Sequence, residues 1–296
     1  MEKLCKGYGL IEGPVWDDAV RVNDAIMALF FSDVVFGGIF AVNTAGQVSQ
    51  IVEHRKGIGG MALHEAGGLV VSGRNIAFKA FQGGDTIVLL DRNEDEGNLG
   101  YNDITTDAKG RIYAGSLGRS TVFQDGRTPK AGNLYLIDLD GSARVVAKDI
   151  QLTNGLGFSP DGKVLYHSDS ERKSVYCYDV SEDGSLGDKK HFVTAEKGSP
   201  DGLVVSEDGR IWVAQAGRNA GVGVYDNQGT LTELIETPGM YTSVCFGGSE
   251  RKTLYMVTGS ENLGSEDRDG AVFSIDTDVA GVPVTPARVR LKQAEL

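Results

Sequence analysis

"NGLGFSPDGKVL" (154–165), "DGLVVSEDGRIW" (201–212) and "NDITTDAKGRIY" (102–113) lie over one another without a gap. Each begins with Asn or Asp, runs through a short β-type stretch and turns at a glycine eight residues after its start. Each then enters a second stretch after Lys or Arg, the punctuation of a strand–turn–strand unit. Weaker copies are "GGMALHEAGGLV" (59–70) and "TSVCFGGSERKTLY" (242–255), and "EGPVWDDAVRVNDAIMALFFSD" (12–33) opens the same way with an insertion at its turn. A further strand with an acidic or amide end follows each copy, as in "LYLID", "VYCYD", "VGVYD", "VFSID" and "IFAVN". Six units recurring at about 40–50 residues have the blade period of a β-propeller. The expectation is an all-β, six-bladed β-propeller with a central channel, residues 1–296 forming one domain. Unequal spacing leaves a β-sandwich array as the weaker alternative.

Composition agrees with many tight turns between short strands: 41 glycines and 7 prolines in 296 residues, with 41% hydrophobic residues for a core. The formal net charge of −12 makes phosphate backbones and anionic lipid poor partners, so neither nucleic acid nor membrane is expected to bind. Three scattered cysteines, Cys5, Cys177 and Cys245, fit neither a disulfide framework nor a zinc ribbon. The first residues lack the apolar core of a signal peptide, and no run reaches the ~20 apolar residues of a membrane span. A cytoplasmic protein, monomeric or a small homo-oligomer, is expected.

The tetrapeptide "SPDG" occurs at 159–162 and again at 199–202, and the repeat separates the two copies. Asp161 falls opposite Asp208 and Lys109, at the hairpin turn. Asp201 falls opposite Asn154 and Asn102, at the start of the innermost strand. Around the ring that position holds Glu12, Gly59, Asn102, Asn154, Asp201 and Thr242. Inner strands line a propeller's channel, so equivalent positions converge on its axis. Two carboxylates and two amides, with no histidine or thiolate, suit a hard cation such as Ca²⁺. Asn-Gly and Asp-Gly are also ordinary hairpin signals, but Glu12 in "IEGPVW" is poor turn chemistry.

At these residues the chain resembles the senescence-marker/gluconolactonase/luciferin-regenerating family of six-bladed propellers, to which paraoxonase and diisopropylfluorophosphatase are similar. The matching stretches are "EGPVW" (12–16), "NDITTDAKGRIYAGS" (102–116), "TNGLGFSPDGKVLYHSDS" (153–170), "SPDGLVVSEDGRIWVA" (199–214) and "CFGGSERKTLYMVT" (245–258). The resemblance implies a divalent-metal-dependent hydrolase that opens a lactone. It places the metal on Glu12, Asn154 and Asp201, with Asn102 as a further ligand or substrate contact. Ca²⁺ is the expected ion, with Zn²⁺, Mn²⁺ and Mg²⁺ as alternatives. Family members that act on sugar lactones tend to carry an arginine where this chain has Gly100, and a glutamate in the stretch after Ser116. A less hydroxylated lactone or an aryl ester is therefore as consistent with the sequence as gluconolactone.

A lactone carbonyl held by a cation is open to attack by water, whose proton must go to a base. Asp201 is the first expected base and Glu12 the second. Asn102, Asp103, Arg119 and His167 are the expected substrate contacts, and the insertion at 117–131 is a candidate cover for the channel. Asp33, Asp169 and Ser170 follow inner strands and are expected to end them, with shaping of the channel as the weaker alternative. The competing functions are an organophosphate or aryl-ester hydrolase on the same site, and a non-catalytic, metal-braced scaffold that binds a protein partner.

Overall fold

The computed structural model describes residues 1–17, 19, 21–22, 25–26, 29–95, 97–119, 128, 130–236, 239–260 and 266–291. Among these residues there is no helix. Six four-stranded antiparallel sheets follow one another along the chain, and their first strands contact one another in a ring. This is a six-bladed β-propeller. The first, innermost strands are Ile11–Trp16, Met61–His64, Gly100–Thr106, Thr153–Phe158, Ser199–Val205 and Met240–Gly247, in blades one to six. The insertion in blade one forms a small ribbon, Arg21–Val22 paired with Ala25–Ile26.

Blade six is composite. Its strands Met240–Gly247, Thr253–Gly259 and Gly270–Asp276 are completed on the outer edge by the N-terminal strand Glu2–Tyr8. The start of the chain thus covers an edge that would otherwise stay open for pairing with another molecule, and the seam of the ring is closed by backbone hydrogen bonds. Sequence reading did not assign this strand.

The core is divided among the blade junctions. Phe30, Ile39 and Met61 pack between blades one and two, and Tyr113, Leu134 and Leu156 between blades three and four. Trp212, Val222 and Met256 do the same between blades five and six. Each such buried side chain is worth about 1.5–3 kcal/mol, and every junction has its own cluster, so the ring closes without a weak seam. Glycine lets the inner strands approach. A Cβ on Gly155 would lie 2.3 Å from the amide nitrogen of Leu203 in the next blade.

The two aspartates of the repeated tetrapeptide separate as the repeat predicts. Asp161 is exposed at a hairpin, where it accepts from Ser159 Oγ at 2.7 Å and from the Lys163 amide at 3.1 Å. Asp201 is buried in the inner strand of blade five, only 8% exposed.

The last described segment crosses the end of the channel opposite the mouth. Val282 donates its amide to the Val205 carbonyl, Ala287 to Leu63 and Arg288 to Gly110. His64, directly before the turn at 65–67, is buried with Nε2 3.0 Å from the Val289 carbonyl.

Candidate active site

At the mouth, the inner strands abandon regular pairing. The register slips between Glu12 and Val15, Tyr101 and Ile104, Thr153 and Leu156, Pro200 and Leu203, and Tyr241 and Ser243. Such bulges re-aim side chains, and here they fall at one register around the ring. In blade one the irregularity is carried by Gly13, whose φ of 56° is the left-handed conformation that glycine accepts without strain.

At five of the six junctions, one blade also holds the next at the residue just before the mouth position. The Ile11 carbonyl accepts from Thr242 Oγ1 at 2.5 Å, Ile58 from Ser32 Oγ at 2.6 Å, and Tyr101 from the Gly73 amide at 3.1 Å. Thr153 accepts from Asn102 Nδ2 at 2.9 Å and Pro200 from Ser170 Oγ at 2.6 Å. The mouth residues are therefore fixed from both sides.

Glu12, Asn154 and Asp201 are each 8% exposed. Burial raises the carboxyl groups of Glu12 and Asp201 well above the usual range. Glu12 is pushed further by the charges of Asp201 and Asp103, and Asp201 by that of Asp103. The structure thus brings in a third carboxylate. Asp103, expected only as a substrate contact, is raised by burial to about 7. Three carboxyl groups that feel one another, with no basic partner among the described residues, hold their protons tightly and make a centre that becomes anionic when those protons leave.

The amides are held by specific partners. Asn154 Nδ2 donates to Ser170 Oγ at 2.7 Å, which turns its Oδ1 toward Asn102, and Asn102 Nδ2 donates to that oxygen. A carbonyl oxygen has a second lone pair, so Asn154 Oδ1 keeps capacity for a cation. Asn102 behaves as a clip: its own Oδ1 lies 1.8 Å from where a Cβ on Gly59 would be, so any side chain at that mouth position of blade two would displace Asn102. Asp201 Oδ1 is buried and has no hydrogen-bond partner. Leaving such an atom unpaired costs about 1–3 kcal/mol or more for a charged group.

These features fit a cation. Among the described residues no group of three or more His, Cys, Asp and Glu is arranged to hold a metal. A cation here needs an amide oxygen beside the carboxylates, and Asn154 supplies one.

The other expected contacts are placed differently. His167 is 1% exposed, its Nε2 is 2.8 Å from Thr153 Oγ1, and burial pushes its pKa down to about 4. It packs within the blade behind Asn154 and cannot touch a substrate at the mouth, which corrects the expectation. Arg119 is paired with Glu171, the neighbour of Ser170, and so lies beside the support of Asn154. Most of the proposed cover at 117–131 lies outside the described residues. Asp33 and Asp169 end their strands by accepting loop amides, Asp33 from Gly9 at 3.0 Å and Asp169 from Leu152 at 3.0 Å. Ser170 does more than end a strand, because it links Asn154 to the residue before Asp201. The sequence signal for this was the serine directly after "HSD", in the same blade as Asn154.

Comparison with known proteins shows which family the fold and sequence belong to. Residues 10–260 match the SMP-30/gluconolactonase/LRE-like region. A 6-deoxy-6-sulfogluconolactonase of Pseudomonas putida is 29% identical, over 91% of this chain and 92% of its own. The pentonolactonase XacC of Haloferax volcanii is 32% identical, over 64% of this chain and 67% of its own. The structure of a calcium-binding regucalcin from Agrobacterium tumefaciens superposes with a TM-score of 0.81 at 22% identity, covering 97% of this chain and 96% of that one. With the family region matched over residues 10–260, this chain belongs to the SMP-30/gluconolactonase/LRE-like family.

Proposed function

We propose that the chain is a divalent-cation-dependent lactonase, with Glu12, Asn154 and Asp201 as the cation's protein ligands. The observation that carries this reading is Asp201 Oδ1, buried without a partner beside two further carboxyl groups. An oxygen-only donor set favours a hard ion, Ca²⁺ first. Named relatives that open sugar lactones support the reaction class. A bound cation would supply Lewis acidity to the lactone carbonyl and offset the anionic centre.

The protein's own groups divide the remaining work. Asn102 and Ser170 hold the Asn154 amide, and the bulged strands hold the carboxylates against the channel wall. Asp201 and Glu12 are the bases expected from sequence, but both are needed as ligands, which lowers their basicity. Asp103 is free of that duty, so it takes the proton from the attacking water and returns it to the departing ring oxygen. The product is the open-chain hydroxy acid.

A pH-drop assay on gluconolactone, an alkyl lactone, an aryl ester and a phosphotriester, with and without chelator, tests the reading. Hydrolysis of a lactone that chelation stops and Ca²⁺ restores is expected. Hydrolysis of the phosphotriester alone would move the assignment to organophosphates. No turnover of any substrate, with melting on chelation, would leave a cation-braced scaffold. Asp103→Asn is expected to lower kcat about 10²–10⁴-fold while cation affinity is kept.

A further inference from the structure

Among the described residues the Asp103 carboxyl makes one hydrogen bond, accepting the amide of its neighbour Ile104 at 3.0 Å. Its place is set instead by bare backbone of blade two. A Cβ on Gly60 would lie 2.7 Å from Asp103 Oδ1, 2.8 Å from Asp103 Cα and 2.6 Å from the Ile104 amide nitrogen. Gly60 is thus the berth of Asp103, as Gly59 is of Asn102. The carboxyl group keeps its position only while the Gly59–Gly60 peptide keeps its own.

That peptide is held by one side chain. Ser72, directly after the strand Gly68–Val71, is fully buried. Its Oγ accepts the Gly59 amide at 3.1 Å and the Gly60 amide at 2.8 Å, and its own amide donates to the Gly60 carbonyl at 3.0 Å. Two buried donors therefore depend on a single hydroxyl, and both would be orphaned without it. The next residue ties the same corner to blade three. Gly73 donates to the Tyr101 carbonyl at 3.1 Å, and the Tyr101 amide donates to the Gly73 carbonyl at 2.7 Å. Arg55 Nη2 braces the corner from behind, donating to the Ser72 carbonyl at 3.1 Å and to Asn75 Oδ1 at 2.9 Å. The berth and the strand that carries Asp103 are consequently fixed to one point.

We propose that Ser72 is a positioning residue for hydrolysis. Its hydroxyl fixes the bare Gly59–Gly60 peptide, and so the place of the Asp103 carboxyl, without touching substrate or cation. The inference rests on the reading of Asp103 as the base. A base must be held to within about 0.5 Å of its productive place, and a displacement of about 1 Å can cost 10²-fold in rate.

Lactone kinetics and Ca²⁺ titration of Ser72→Ala, Ser72→Thr and Gly60→Ala, each alone and on Asp103→Asn, test the proposal, together with crystal structures of the native chain and of the first and third variants. Ser72→Ala is expected to lower kcat about 10–100-fold with KM and Ca²⁺ affinity unchanged. Ser72→Thr, which keeps the hydroxyl, restores most of the rate, and Gly60→Ala loses at least as much as Ser72→Ala. On Asp103→Asn none of the three lowers kcat further, because the group they position is gone. Gly60→Ala keeps the test intact should Ser72→Ala fail to fold. If the native chain opens no lactone, the reading of Asp103 as base falls. The crystal structures then decide the positioning alone, and an Asp103 carboxyl displaced by about 0.5 Å or more upholds it. An unmoved carboxyl would overturn the proposal, as would a loss of kcat that persists in full on Asp103→Asn or that comes with an equal loss of Ca²⁺ affinity.

Discussion

The two ends of the channel are made from the same inner strands and obey opposite rules. At the mouth, bulges break the pairing and three carboxyl groups are buried against one another. Toward the floor the pairing is regular: Leu203, Val204 and Val205 face Val213, Trp212 and Ile211 in register, and the terminal segment adds backbone bonds. One end spends stability on an anionic centre and the other supplies it. A propeller separates these demands along its axis, because blade packing outside the channel holds both ends in place.

Substitution at the mouth should show the sharpest contrast. Asp201→Asn is expected to remove measurable hydrolysis and cation binding, yet to raise the unfolding temperature of the cation-free protein at pH 8, since one repelling charge is gone. A drop in that temperature would mean the mouth is not electrostatically strained. Ending the chain after Thr277 should do the reverse. Loss of the buried Ala287 and Val289 and of the His64 bond lowers the midpoint by about 5–10 °C, while kcat per folded molecule is unchanged. Ser170→Ala is a smaller probe: it frees the Asn154 amide, and cation affinity should fall about 10–100-fold with stability nearly unchanged.

The smallest effect is a pH trend. The Asp103 carboxyl ordinarily titrates at 3.8 and is raised to about 7 in the folded chain. The folded state therefore binds the proton more tightly, and this contribution to stability is present below pH 4 and lost as pH rises toward 7. Cation-free protein should unfold more easily at pH 8 than at pH 5, and Ca²⁺ should cancel the difference. A flat profile between those values would remove Asp103 from the charged cluster.

How much of this was legible in the chain differs between the two ends. Asp201 could be told from Asp161 because the repeat fixes register, and register fixes which residues meet on the axis. The same logic found Glu12, Asn102 and Asn154. It did not reveal that Asn102 donates to Asn154 while its own oxygen lies against Gly59, because the Gly59 gap that receives that oxygen lies in another blade. His167 was an expected substrate contact because "LYHSDS" lies close to Asn154 in the blade, but its partner, Thr153, is on the adjacent strand inside the blade. Neither the outer strand at Glu2–Tyr8 nor the floor at 282–285 belongs to the repeat, so periodicity could not place them.

The central claim is that buried, proton-bearing carboxyl groups at the mouth exchange their protons for a cation. Calorimetric titration of Ca²⁺ into chelator-treated protein at pH 6, repeated in buffers of different ionisation heat, measures this directly. One bound ion with release of about one proton or more is the predicted result. Failure to bind, or binding without proton release that survives in Asp201→Asn, would contradict it.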